Sequence, residues 1–195
     1  MTPTRIFSTA LLILALVLGF FLVRSIKSKI ELANNIEKNE KLVVQKLKWI
    51  RDAELAYLSA NGEYTNNWDT LISFIKTGEI PDRVKKEHIK TLAYGADSTW
   101  FTYDTLGYNK VIETTFKPEK NPGFNPDELP NIPGSNKQFK LETAKRQSDN
   151  SNREVHYFMA QDTYVIDPSR KLESHPYGPL QVGSLVEATT QGNWE

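Results

Sequence analysis

The segment from Ile6 to Val23 constrains this chain most, because its eighteen residues carry no charge and are framed by Arg5 and Arg24. At about 1.5 Å per helical residue, such a segment can cross a hydrocarbon core of roughly 30 Å. A cleaved signal peptide is the alternative, but no Ala-x-Ala cleavage pattern follows Val23. The sequence therefore predicts a tail over residues 1–5 and a transmembrane helix over residues 6–23 that contacts membrane lipid.

The side of the membrane that holds the rest of the chain depends on the basic residues flanking this helix. Arg5 and the amino terminus oppose Arg24, Lys27 and Lys29, a count that favours a cytoplasmic C-terminal part. An uncleaved anchor ahead of one folded domain nevertheless often places that domain outside the cytoplasm, because long domains translocate with little regard to charge. We expect a single-pass protein of the bacterial inner membrane with a periplasmic soluble domain, and a cytoplasmic domain is the alternative.

Helical periodicity continues beyond the membrane segment, and residues 21–60 contain no Pro or Gly. Apolar residues recur at intervals of seven along this stretch, namely Ile36, Val43, Ile50 and Tyr57. One continuous helix from about Arg5 to Ala60, roughly 80 Å long, is therefore predicted, with residues 24–60 as an amphipathic stalk. Glu40 and Glu54 interrupt the adjoining row, so the seam either contacts a partner or a second copy, as in a coiled coil, or packs against the chain's own domain.

A helical hairpin is predicted where the stalk ends. Asn61-Gly62 favours the left-handed backbone that closes a helix, because glycine adopts it without steric cost. Asn66 or Asn67 can accept the free amides of a second helix, whose first turn contains Asp69. The apolar face of this second helix consists of Trp68, Leu71, Ile72 and Ile75, and Gly78 followed by Pro81 ends it.

Beyond residue 81 apolar and polar residues largely alternate, which is typical of strands with one buried face. The predicted strands are Lys110–Phe116, Gln138–Thr143, Arg153–Gln161 and Leu180–Ala188, with Thr163–Asp167 as a fifth, less regular segment. Residues 118–136 hold five of the ten prolines and predict a long loop, ordered or mobile, that either binds a ligand or is an insertion without function. The predicted fold class is α+β: the membrane helix continues into the amphipathic helix, and residues 61–195 form a soluble head with the helical hairpin and a small antiparallel sheet.

Aromatic residues are concentrated in the segment Ser98–Tyr108. It contains Trp100, Phe101, Tyr103 and Tyr108. A strand or hairpin that packs these rings on the core is the favoured interpretation, and a platform for carbohydrate or peptide ligands is the alternative.

Signatures of catalysis are missing from the sequence. His88, His156 and His175 lie far apart, and none has the spacing of a metal site. No phosphate-binding loop or nucleophile elbow occurs, and the carboxylates Asp52, Glu54, Glu63 and Asp69 fit a solvated helical hairpin. Lys and Arg together number 24, as do Asp and Glu, so no basic field for nucleic acid is expected. We predict a protein that is not an enzyme and has no cofactor, metal or nucleic-acid partner.

The end of the stalk contains a run of spaced residues, Ala53, Tyr57, Gly62 and Tyr64. With the preceding apolar helix and the following sheet, this Ala-x-x-x-Tyr-x-x-x-x-Gly-x-Tyr run resembles type IV pilins and pseudopilins, and in general build the chain is similar to single-pass bacterial membrane proteins. The resemblance implies a pilin-like fold over about residues 6–77. The family's leader cleavage motif is absent ahead of the apolar helix, and without cysteine there is no C-terminal disulfide.

These observations predict a non-catalytic, membrane-anchored assembly or scaffold subunit of a bacterial envelope complex, pilin-like in architecture. Protein partners or self-association are expected through the stalk residues Ile36, Val43, Ile50 and Tyr57. The alternative is a binding module displayed on a stalk, which would hold peptide or glycan on the aromatic segment.

Overall fold

The computed structural model describes residues 3–91, 95–147, 154–171 and 178–195, with side chains from residue 11 onward. The fold is α+β, as predicted, with one long helix, short helices and two small antiparallel sheets. Its residues divide into two compact units, Met1–Leu42 and Val43–Glu195. The second unit therefore begins within the segment that the sequence assigned to the stalk.

Helix α1 extends over Pro3–Asn61 without a break, so the predicted continuous helix is confirmed. Its apolar stretch from residue 11 has a mean hydropathy of 2.1, and none of it is buried. By length and composition it is a candidate membrane span near the N-terminus.

The C-terminal part of α1 supplies one wall of the hydrophobic core of the second unit. Five of its apolar side chains are buried at helical spacing, namely Val43, Leu47, Ile50, Ala53 and Ala56. Leu71 and Ile75 from the next helix pack in the same core. Most of this helical face therefore lies against the chain's own domain, because the interval of three or four residues keeps one side of α1 turned toward the core.

The hairpin between α1 and α2 forms as its sequence signals predict. Gly62 has a φ of +82° and its N–H donates to the carbonyl of Leu58, so it caps α1 in the left-handed conformation. Helix α2 covers Trp68–Thr77, and the side chain of Asn67 accepts a hydrogen bond from the amide of Thr70 at 3.1 Å. Gly78 ends α2, as predicted.

Two strands, β1 (Glu79–Thr91) and β2 (Asp97–Lys110), follow α2 and pair with each other in an antiparallel ribbon. The predicted strand at Lys110–Phe116 is wrong, because Val111–Thr114 forms the short helix α3. The amide of Thr115 donates to the carbonyl of Val111, and Val111 and Phe116 are both buried. A short apolar run fits either a helix or a strand, and here the packing of these two side chains favours the helix.

The second sheet has three strands in the order β3-β4-β5, which cover Lys140–Gln147, Glu154–Gln161 and Gln181–Gly183. Strands are thus confirmed near residues 138–143 and 154–161, whereas Arg153 lies outside the described residues. The strand predicted over Leu180–Ala188 ends early, because Gly183 has a φ of +74° and lies against the backbone of Phe158.

The segment Thr163–Asp167 is not a strand. The carboxylate of Asp162 accepts a hydrogen bond from the amide of Tyr164, and that of Asp167 accepts one from the amide of Ser169. These side-chain bonds hold the backbone in turns, which compete with strand pairing.

The proline-rich loop over residues 118–136 is ordered around buried side chains. Pro126–Glu128 forms a 3₁₀ turn, and Leu129 and Ile132 lie in the core. The Lys46 ammonium group on α1 donates to the carbonyls of Glu128 and Asn131, at 2.5 and 2.8 Å. The loop is therefore ordered and part of the packed unit.

Candidate docking surface

The ribbon of β1 and β2, residues 79–91 and 97–110, is the most exposed element of the second unit. Most of its side chains are exposed on both faces. Within the described residues β1 pairs only with β2 and β2 only with β1. Isolated two-stranded hairpins are marginally stable in water, so a long ribbon of this kind is expected to gain stability from a partner.

The aromatic residues singled out in the sequence all lie on β2, but they do not pack on the core. The exposed fractions are 46% for Trp100 and Phe101, 63% for Tyr103 and 67% for Tyr108. The interpretation of this segment as a strand with its rings on the core is therefore wrong. Its strand character is confirmed, and its rings face solvent because no other described element covers either face.

The four rings are not on one surface. Strand alternation and pairing place Trp100 opposite His88 on one face, whereas Phe101 and Tyr103 lie on the other. A bulge between the pairs Asp82/Gly107 and Arg83/Thr105 adds one residue to β2, and it leaves Tyr108 opposite Pro81 on the face of Tyr103. The aromatic segment thus supplies two different surfaces.

Side-chain contacts across the strands involve two of the rings, Trp100 and Phe101. Trp100 stacks on His88, with ring centroids 5.3 Å apart and planes 15° apart. On the other face, the Lys85 ammonium group lies 3.5 Å from the centroid of the Phe101 ring. Lys86 and Asp104 form an ion pair of 2.5 Å. These exposed contacts order the ribbon but contribute little each to its stability.

Sequence reasoning missed the rest of this surface. Val84 and Ile89 on β1 and Leu106 at the bulge are exposed apolar residues of the ribbon, with exposed fractions of 39%, 62% and 70%. The strand β1 went unpredicted because charged residues occupy both of its faces. The apolar residues Ile80, Val84 and Ile89 are four and five residues apart, so the segment lacks the alternation that marks a strand.

The predicted contact residues of the stalk have different environments. Val43 and Ile50 are buried in the core of their own unit, so their side chains are not available at its surface. The ring of Tyr57 is half-buried and contacts Phe74 edge to face at 5.1 Å. Ile36, in the first unit, is half-buried. Packing against the chain's own domain, one of the two interpretations of the seam, therefore accounts for Val43 and Ile50.

Glu54 departs from the expectation that the carboxylates near the hairpin are solvated, because its side chain is completely buried. Its Oε2 accepts a hydrogen bond from the Thr65 amide at 3.1 Å, and within the described structure its Oε1 has no partner. Burial raises the pKa of Glu54 to about 8, and the Thr65 hydrogen bond opposes this shift only in part. Glu54 is therefore mostly protonated near neutral pH.

The other titratable groups of the described residues do not cluster into a metal site. Among the described residues, no group of three or more His, Asp or Glu side chains is arranged to hold a metal ion. The His88 ring stacks on Trp100, and its Nε2 is hydrogen-bonded with the Thr102 hydroxyl. His156 is half-buried, and His175 lies outside the described residues. The ribbon is therefore the feature of the described structure with the clearest capacity to bind a partner.

Comparisons with known proteins identify no family for this chain. No protein-family model matches the chain, and no curated protein or solved structure matches it. The resemblance to pilins and pseudopilins stays a prediction.

Proposed function

We propose that this chain is a non-catalytic assembly subunit of a bacterial envelope complex, anchored in the inner membrane by α1 and docked onto other proteins through the β1–β2 ribbon. The soluble unit is placed in the periplasm in this proposal. The pilin-like order of elements agrees with it, since a single apolar helix precedes an α+β domain.

One observation carries the proposal: a two-stranded ribbon presents Phe101, Tyr103 and Tyr108 to solvent on one face and Trp100 on the other. Aromatic side chains are enriched at the centres of protein interfaces, because they bury a large area at low cost in conformational entropy. Exposed apolar patches of this kind mark interaction sites in soluble domains. Binding of a protein partner would both cover the rings and stabilise the ribbon.

A photo-crosslinking amino acid at Tyr103 tests this function directly. In the full chain, expressed in its native membrane, we expect a discrete protein adduct after irradiation, identified by mass spectrometry. Tyr164 is the matched control, because it is an exposed tyrosine, at 40%, outside the ribbon. The expected yield at Tyr164 is at least fivefold lower. Equal yields at both positions, or no adduct at either, would contradict docking through the ribbon.

A second candidate function is supported by the stacked pair of His88 and Trp100. A flat aromatic ring held parallel to an imidazole is a suitable platform for a sugar ring or an extended peptide. If this function holds, Trp100→Ala is expected to weaken binding of soluble peptidoglycan fragments by the full chain at least tenfold, as measured by calorimetry. Tyr164→Ala serves as the control. Unchanged affinity in Trp100→Ala would remove Trp100 as a ligand site.

A further inference from the structure

The two outer edges of the ribbon differ in their resistance to strand addition. β1 has seven charged residues among thirteen and contains Pro81. From Ser98 to Asn109, β2 has no proline and a single charge, Asp104, which is paired with Lys86 across the ribbon. Lysine and proline protect an edge from pairing with another strand, whereas uncharged aromatic and β-branched residues promote it. From Ser98 to Thr105, ahead of the bulge at Leu106, the edge of β2 is therefore the less protected one.

The backbone of β2 has groups available for a further strand. In an antiparallel pair, alternate residues exchange hydrogen bonds with one neighbour, and the groups of the remaining residues point to the opposite side. Across the part of the chain that the structure describes, no strand occupies that opposite side of β2. The fourteen residues of β2 span about 48 Å at the usual rise of an antiparallel strand, so this edge is long.

We propose that this edge pairs antiparallel with β2 of a second copy of the chain, which forms a four-stranded sheet in the order β1-β2-β2-β1. The inference rests on the proposed function and identifies one docking partner. It joins the two less protected edges and leaves the charged β1 strands outermost. Because those strands resist further pairing, the assembly stops at two copies.

Charge and side-chain complementarity favour a second copy as the occupant. The described ribbon has five basic and five acidic residues, so two copies do not repel each other through net charge. An antiparallel pair centred on Thr102 would place Phe101 opposite Tyr103 of the partner subunit, and Thr99 opposite the partner's Thr105. Aromatic pairs and threonine pairs are favourable cross-strand neighbours. Four strands also exceed the three that a sheet needs for independent stability.

The absence of native cysteine allows a direct distance test. Thr102→Cys and Lys86→Cys are compared in the full chain in its membrane, because Thr102 and Lys86 are directly opposite each other in the ribbon. In the four-stranded sheet, the two copies of residue 102 are about 5 Å apart, and those of residue 86 are three strand spacings apart, about 14 Å. With a bis-maleimide too short for the longer distance, we expect at least fivefold more crosslinked homodimer from Thr102→Cys.

A second variant tests the edge without a crosslinker. Thr102→Glu places like charges at the centre of the pair but faces Lys86 within each ribbon, so the dissociation constant of the dimer in detergent micelles is expected to rise at least tenfold. Circular dichroism should remain unchanged.

A reactive thiol at residue 102 that gives no homodimer, or equal crosslinking from both cysteine variants, would overturn the pairing. An adduct of Thr102→Cys with a different protein alone would overturn the second copy as occupant and leave the proposed function intact. If neither Thr102→Cys nor the photo-crosslinking amino acid at Tyr103 gave any adduct, both proposals would be overturned.

Discussion

Replacement of Glu54 by glutamine is expected to stabilise the protein at pH 8 by about 3–5 kcal/mol, with little change at pH 4. In the wild type, the pKa of the buried carboxyl is raised from 4.5 to about 8. Below pH 4.5 the carboxyl is protonated in both the folded and unfolded states. As the pH rises from 4.5 to 8, the unfolded chain releases its proton first, so the free energy of unfolding falls. Glutamine has no proton to release and removes this slope.

The measurement is urea unfolding of the full chain in detergent at pH 4, 6 and 8, followed by tryptophan fluorescence. Glu63→Gln is the control, because Glu63 is a half-buried carboxyl whose pKa is lowered by its hydrogen bond and charge interaction with Lys145. A lowered pKa contributes stability that is lost as the pH falls, so this control should keep the alkaline slope. A slope in Glu54→Gln equal to that of the wild type would show that Glu54 is ionised in the folded state.

Ile50→Ala is expected to cost about 2–5 kcal/mol, because Ile50 is completely buried and truncation leaves a cavity between α1 and the rest of the core. Leu55→Ala is the matched control on the same helix, where the side chain is 38% exposed. Its expected cost is below about 1 kcal/mol, since alanine also favours the helix. The same urea unfolding experiment at pH 6 measures both variants.

This comparison also distinguishes the two roles that the sequence allowed for the seam. If Ile50 contacted only a partner protein, its truncation would leave the unfolding midpoint of the isolated chain unchanged and would weaken assembly instead. A loss of stability in Ile50→Ala alone is the result that packing on the chain's own domain requires.

The local features of the fold were predictable because they depend on a few adjacent residues. Gly62 and Asn67 mark the turn between α1 and α2 through backbone conformation and capping, which do not depend on distant packing. Segments whose structure depends on distant contacts were less predictable. The stretch after Lys110 forms a helix because Val111 and Phe116 reach the core, and Leu180–Ala188 is cut short where Gly183 meets Phe158.

The candidate site was predictable in its residue types but not in its geometry. Clustering of Trp100 and its neighbours is evident in the sequence, yet aromatic rings are equally suited to a core and to an interface. Which environment they have depends on whether other elements cover the strand. Glu54 shows the same limit, because the composition of its helix gives no indication that this carboxyl, unlike Asp52 or Glu63, is enclosed by the fold.

The bulge at Leu106 shifts the alternation of side chains between the two faces of β2. Tyr108 is eight residues from Trp100, so in a regular strand the two rings would share a face. The added residue at the bulge moves Tyr108 to the face of Phe101 and Tyr103. One side of the ribbon thereby carries three of the four rings, Phe101, Tyr103 and Tyr108, with Thr105 between the last two. This arrangement depends on the number of residues between Tyr103 and Tyr108 more than on their identity, so the length of that segment is what the chain must preserve.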